Sequence, residues 1–267
     1  MVRSAAERLV EIAAGAVTAI VLAILYAPVA VNALFSIVEV DRGTIVWGSL
    51  TFERYVTLWS NASVIDALVN TVRVAATAVF AAAILSVILA LYVQWRGAIG
   101  RRAIEIVIYL PFLLPPIITG LSLLIASAEL GISRGLFTVM IGHTIFVLAV
   151  AFRLVLTRLR NLPRSLVEAS ADLGATSLQT LRYVLLPHLA SAIVTGAVLA
   201  LTLSFDETLI SVFLAGDRMT LPLRLWAMMR VGFTAEINAL VTVVLVASIL
   251  MALVAASRMR AIPGGGV

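Results

Sequence analysis

Cysteine is absent from the chain, which excludes disulfides, thiolate metal sites and cysteine nucleophiles while leaving the redox compartment open. Lysine is absent as well: all 19 basic residues are arginine. A phosphate-binding P-loop needs its lysine to reach the β- and γ-phosphates, and there is no Gly-rich GK[ST] stretch, so any nucleotide chemistry belongs to another chain. Charge of either sign is scarce, at 12% of residues against 62% apolar, with a mean hydropathy of +1.12. Soluble domains carry about one quarter charged residues, so the composition argues against a water-soluble fold.

What is present is a series of long apolar runs, many reaching the roughly 20 residues a helix needs to cross about 30 Å of hydrocarbon. They are Leu/Ala/Val-rich and do not alternate, which argues against a β-barrel and for an all-α polytopic membrane protein. Six helices are expected, at about 10–37, 64–93, 103–126, 136–157, 188–214 and 237–257. The first is too long for a signal-peptide core and reads as a retained anchor. With the N-terminus inside, twelve arginines (3, 8, 96, 101, 102, 153, 158, 160, 164, 182, 258, 260) face the cytoplasm. Six (42, 54, 134, 218, 224, 230) lie outside, and Arg73 falls within a span. The bias places both termini in the cytoplasm. This gives an N-terminal helix with its periplasmic loop over about 1–63, a core over about 64–257 and a short tail over about 258–267.

The outer segment from Glu39 to Ser63 carries Trp47, Phe52, Tyr55 and Trp59, ring types suited to the headgroup layer. Asp66, Asn70 and Arg73 follow at helical spacing and are expected to neutralise one another. In the third span Pro111, Pro115 and Pro116, with Gly120 beyond, predict a kink. A break at membrane depth must face protein or a cavity, so these residues are either pathway elements or a packing kink. His143, alone in an apolar helix, reads as a packing hydrogen bond rather than a metal ligand, and His188 as an interfacial residue. The adjacent carboxylates Asp206 and Glu207, toward the outer part of the fifth span, are costly in hydrocarbon without partners. They point about 100° apart, so at most one faces a narrow pathway, and Asp206 is the better candidate. The alternative is a helix-end pair with an arginine such as Arg224. No nucleophile and base stand at motif spacing, so an enzyme is not expected.

The least membrane-like stretch of the core is cytoplasmic and runs from about 158 to 187. Asn161 can cap, Pro163 suits a first helical turn, Glu168 and Asp172 share a face, and Gly174 can end the helix in the left-handed region. Leu162, Leu166, Ala169 and Leu173 form an apolar stripe on the opposite side. A second short helix, Ser177 to Leu186, is expected to end at Pro187. Physically this is either an amphipathic connector on the lipid surface or a pair of helices shaped for a groove on a partner.

The residues Glu168-Ala169-Ser170-Ala171-Asp172-Leu173-Gly174-Ala175, followed by Leu186-Pro187, resemble the EAA loop of binding-protein-dependent ABC importer permeases. Pro115-Pro116 with Gly120, Gly142-His143, Ser204-Phe205-Asp206-Glu207, Thr220-Leu221-Pro222-Leu223 and Glu236-Ile237-Asn238-Ala239 resemble, in order, landmarks of the spermidine/putrescine-type members. Two departures are Ser170, where many members have alanine, and Ala149, where relatives often have proline.

The resemblance implies a type I importer (MetI-like) fold in the cell inner membrane, with the first helix packing around a partner subunit. It implies a pore-forming subunit of an ATP-driven importer of a small solute, a polyamine or a similar cation. Iron chelates, thiamine, opines and aminophosphonates are carried by related permeases. The loop would be the coupling helix, with Glu168, Ala169, Ser170, Asp172, Leu173, Gly174 and Pro187 at the contact with an ATPase. The expected partners are a second permease subunit, two ATP-binding cassette subunits, a periplasmic solute-binding protein and membrane lipid, with no nucleic acid. This chain itself would bind no cofactor, ATP and Mg residing on the ATPase. An autonomous channel or secondary transporter is the rival reading, and it predicts transport without ATP.

Overall fold

The computed structural model describes the backbone over residues 5–41, 44–95, 97–231 and 235–260, and side chains over 10–39, 44–95, 97–230 and 236–250. Arg3, Arg42, Arg96 and the tail from 261 lie outside the described residues, as do the side chains of Arg8, Arg258 and Arg260. The elements are α1 (Ala5–Phe35), β1 (Glu39–Asp41), β2 (Thr44–Val46), α2 (Glu53–Ser60), α3 (Ala62–Gln94), α4 (Arg101–Leu113) and α5 (Pro116–Glu129). There follow α6 (Leu136–Arg160), α7 (Arg164–Asp172), α8 (Ser177–Thr180), a π-helical turn Leu181–Leu185, α9 (Leu186–Asp206), α10 (Leu209–Leu214), α11 (Leu221–Val231) and α12 (Ala235–Arg260).

Four helices among the described residues are long and apolar enough to cross a membrane alone: Val10–Phe35, Ala62–Gln94, Leu136–Arg160 and Ser177–Asp206. The pair α4 and α5 qualifies as one broken span, and the apolar stretch Glu236–Leu250 of α12 is shorter. Among the described residues this gives four spans, or five with the broken pair, at the places expected for the first five, and α12 lies where the sixth is expected.

The chain divides into two units. In the first, which contains α1, the hairpin β1–β2, α2 and the start of α12, the segment after α1 is folded rather than a simple loop. Arg54 Nη1 donates to the carbonyls of Phe35 (2.9 Å) and Val38 (2.7 Å), and the hydroxyls of Ser36 and Tyr55 meet at 2.6 Å. A cation on the last carbonyls of a helix is favourable on both hydrogen-bond and dipole grounds, so Arg54 closes the end of α1. Trp47, Phe52 and Trp59 stay exposed, as an interfacial role requires, whereas Tyr55 turns inward to its serine. Asn32 donates to the Asn238 carbonyl at 3.3 Å, tying α1 to α12.

The second unit is built around α6. Its N-terminal half meets Val74, Ala78 and Ala82 of α3 and Ala200 of α9 in one buried cluster, with Ile210 and Leu214 of α10. Its C-terminal half packs Phe152, Val155 and Leu156 against Ala90, Val93, Ile108 and Leu189. Small residues set the helix spacing: a Cβ on Gly196 would lie 3.3 Å from Ala151 Cα. Ala149 is buried within an unbroken α6. At the C-terminal end of α6 Arg160 meets Glu105 at 2.8 Å.

The third span is not a kinked helix. It breaks at Leu114 and Pro115 with a bend of 110°. Each of these residues precedes a proline, which clashes with the helical region, and both are extended (ψ 147° and 133°). Pro111 is accommodated inside α4. Its carbonyl would normally accept from residue 115, where proline has no N–H, and the Thr119 hydroxyl donates to it instead at 3.3 Å. Thr119 is 7% exposed, so Thr119→Val leaves that carbonyl without a donor. We expect a loss of about 1–3 kcal/mol, read as a lower melting temperature of the purified protein in detergent, with Thr119→Ser near the parent.

The fifth span also departs from the expected bounds. Helix starts at Ser177 and runs through Pro187, because the Leu186 N–H reaches back to Leu181 O in the wider π register and the His188 ring N–H donates to Val184 O at 2.7 Å. It stops at Asp206 rather than near 214, since Glu207 turns extended and uses its side chain locally.

Asp66 and Arg73 do not pair. Both are exposed, seven residues apart, which is about 10 Å along a helix axis. Asn70 turns inward instead and donates to the Met219 carbonyl at 3.1 Å. Next to it, the Thr71 hydroxyl accepts the Leu221 N–H.

Candidate functional site

Two places in the second unit carry polar chemistry, the elbow α7–α8 and the break between α9 and α10. In the elbow, α6 runs one turn further than expected and Asn161 closes it, its N–H bonding back to Thr157 and Arg158. Asn161 therefore does not cap α7. Pro163 takes the N-cap place with extended ψ. The other end is as the sequence suggests: Gly174 has φ +77°, its N–H bonds to Ala171 O, and the Ala175 N–H bonds to Ser170 O. That double closure needs a left-handed residue, which is why glycine stands there. Thr176 then caps α8, its hydroxyl accepting from Gln179 N while the Gln179 side chain accepts from Thr176 N.

The expected apolar stripe is only half used inside the fold. Leu162 and Leu166 are half-buried, but Ala169 is exposed and Leu173 is 89% exposed. The residue that α7 turns inward is Ser170, whose hydroxyl meets Thr180 Oγ1 at 2.9 Å in a buried contact joining α7 to α8. Glu168 and Asp172 point outward beside Leu173, and Leu178 and Tyr183 are also largely exposed. The elbow thus offers a short ridge of two carboxylates and uncovered apolar side chains, held rigid from behind. Pro187 lies one turn beyond it, inside the continuous helix.

At the second place, Asp206 and Glu207 face apart, because α9 ends at Asp206 and Glu207 turns extended. Asp206 ends α9 and is exposed; Glu207 is 9% exposed and its carboxylate accepts the Ile210 N–H at 3.0 Å. Arg224 is not their partner: its Nη2 donates to Ser63 Oγ at 3.0 Å. Helix α10 is clasped between two glycines. A Cβ on Gly120 would come 2.9 Å from the Phe213 ring and 3.2 Å from Ile210 Cα, and one on Gly142 would come 2.7 Å from Ile210 Cγ2. Gly120 is therefore a packing contact of α5 with α10 rather than a kink, while Pro115 and Pro116 make the bend that brings α5 there.

His143 makes the packing bonds expected of it, and more specifically than expected: Nδ1 meets Ser204 Oγ at 2.9 Å and Nε2 meets Ser211 Oγ at 3.0 Å. Ser204 belongs to a landmark stretch but carries no signal of this bond, and Ser211 does not stand out; a spacing of seven, which would put both on one face of the single helix expected there, is the one available hint. Among the described residues no group of three or more His, Cys, Asp or Glu could hold a metal.

This arrangement has relatives. The chain is 34% identical over 229 residues to the putrescine transport system permease protein PotI of Escherichia coli K12, covering 83% of this chain and 81% of that one. It is 30% identical over 241 residues to the spermidine/putrescine transport system permease protein PotC of Haemophilus influenzae, covering 90% and 93%. A solved chain from a bacterial ABC transporter involved in import of the acidic polysaccharide alginate superposes with a TM-score of 0.77, covering 96% of this chain and 99% of that one at 18% identity. Residues 82–262 match the family model described as "binding-protein-dependent transport system inner membrane component", a stretch that contains both the elbow and the break, and the chain belongs to that family.

Proposed function

We propose that the chain is the pore-forming subunit of an ATP-driven importer of a polyamine such as putrescine or spermidine. The observation that carries the solute is the 30–34% identity, over most of both chains, to permeases named for these amines. In this reading a periplasmic binding protein delivers the solute to the outer face, a second permease completes the pore, and two ATPase subunits hydrolyse ATP and grip the elbow α7–α8. The uncovered ridge Glu168, Asp172 and Leu173, with Ala169 beside it and Ser170 bracing it from behind, supports that docking role. The apolar α1, with no part of its spanning stretch buried within this chain, suits contact with lipid and the second permease.

The test is uptake of labelled putrescine into proteoliposomes holding the assembled complex with its binding protein. Uptake should require ATP on the elbow side and the binding protein on the other. Uptake without ATP would instead fit an autonomous channel or secondary transporter. Absence of putrescine uptake with ATP-driven uptake of another solute would overturn the polyamine assignment alone.

Asp206, exposed at the end of α9, is the carboxylate suited to attract a passing cation, and Glu207, committed to the Ile210 N–H, is not. A hydrogen bond to a charged group is worth about 1.5–3 kcal/mol, so Asp206→Asn should raise the KM for putrescine by about tenfold or more. Unchanged uptake kinetics would remove Asp206 from the pathway.

A further inference from the structure

The bonds of His143 straddle the break between α9 and α10. Ser204 lies in the last turn of α9 and Ser211 in α10, with the extended Glu207 between them. One imidazole holds both, at 2.9 and 3.0 Å, and all three side chains are at most 2% exposed. The proton inventory makes the arrangement directional. Ser211 donates its only hydroxyl proton to the Glu207 carbonyl at 3.3 Å, so it accepts from Nε2–H of His143. With Nε2 protonated, the neutral form of the ring leaves Nδ1 to accept from the Ser204 hydroxyl. The Glu207 carboxylate completes the set by taking the Ile210 N–H.

A break with extended backbone has no helical hydrogen bonds of its own to fix its angle, so the angle rests on side chains that reach both sides. We propose that His143 is the positioning residue that fixes the angle between α9 and α10, and with it the direction in which Asp206 is presented. The role given to Asp206 rests on the importer reading above; the angle itself does not. A histidine that served only to pack α6 against α9 would need one serine. Here the ring spans two segments, and α10 cannot swing away from α9 without breaking one arm.

Because the chain has no cysteine, spin labels can be placed without background. Leu199 on α9 and Leu209 on α10 are each 45% exposed and ten residues apart, about 15 Å along a straight helix. In the assembled complex carrying Leu199→Cys and Leu209→Cys, the parent should give one narrow label distance. His143→Asn retains a group near Nδ1 and so only the Ser204 arm, His143→Gln retains only the Ser211 arm, and Ser211→Ala deletes one arm while leaving the ring. Each should broaden the distribution or add a second distance, the bent population losing about tenfold in preference. If His143→Asn and Ser211→Ala both keep the single narrow distance, the proposal is overturned and His143 is a one-sided packing bond. Putrescine uptake is measured on the same samples. A parent complex that moves no putrescine but whose label distance responds as described removes the solute reading and leaves the positioning role standing.

Discussion

Gly174→Val is expected to abolish ATP-driven uptake while leaving the protein folded and inserted. The position has φ +77°, and a left-handed backbone costs an ordinary L-residue roughly 1–2 kcal/mol, more for a β-branched one. Space is not the obstacle, since a Cβ there meets nothing within 4 Å and the residue is exposed. The cost falls on the double closure at the end of α7, where Gly174 N and Ala175 N bond back to Ala171 and Ser170. Opening it lets α8 rotate away from α7 and takes Glu168, Asp172 and Leu173 out of register with any groove that reads them. Uptake should fall by more than tenfold, with ATP hydrolysis by the complex no longer stimulated by the loaded binding protein. Gly174→Asn, a residue that tolerates the left-handed region, should retain most of both. Equal loss in the two variants would show that the backbone conformation is not what matters.

Gly142→Leu should act on stability as strongly as Gly174→Val acts on coupling. Even a single added carbon would lie 2.7 Å from Ile210 Cγ2 and 2.8 Å from Leu214 Cδ1, and Ile210 is fully buried with Gly120 of α5 behind it. Helix α10 lies against both glycines, so a leucine here must push it off α6 or strain α6 itself. Overpacking of this kind costs about 1–3 kcal/mol or more. A clear drop in melting temperature is expected in detergent, with uptake lost because the break that carries Asp206 is displaced. Adding Ile210→Ala should recover part of the stability by returning volume at the contact. A double variant no more stable than Gly142→Leu alone would contradict the clasp.

How much of this was legible beforehand follows from which interactions are local. The spans were readable because apolar length is a property of each segment by itself, and so was Gly174, since helix closure is decided within six residues. The proline break was visible as a disturbance, but its form was not: two successive pre-proline residues turn a kink into a 110° bend, and the stabilising Thr119 bond looks like nothing in particular in an apolar run. Asn161 closes α6 rather than capping α7 because an asparagine after one helix and before another can serve either, and the extra turn of α6 decides between them. The hairpin β1–β2, with its strands of three residues, is too short to give a period. Least visible were contacts made across the fold. Nothing in the sequence joins Ser204 and Ser211 until α6 brings His143 between them, and Ser170, a departure from the family's usual alanine, is the buried joint of the elbow through Thr180.

The claim that decides the account is that the exposed ridge of α7 is where an ATPase grips this chain. Leu173 is 89% exposed at its crest, and with no cysteine elsewhere Leu173→Cys would be the only thiol in the chain. Treating the assembled complex with a short thiol-to-amine crosslinker, with Leu162→Cys at a half-buried position as the comparison, tests the contact directly. One efficient product joining the Leu173→Cys chain to the ATPase subunit is expected, with little from Leu162→Cys. Efficient crosslinking to lipid or to the second permease, with none to the ATPase, would contradict it.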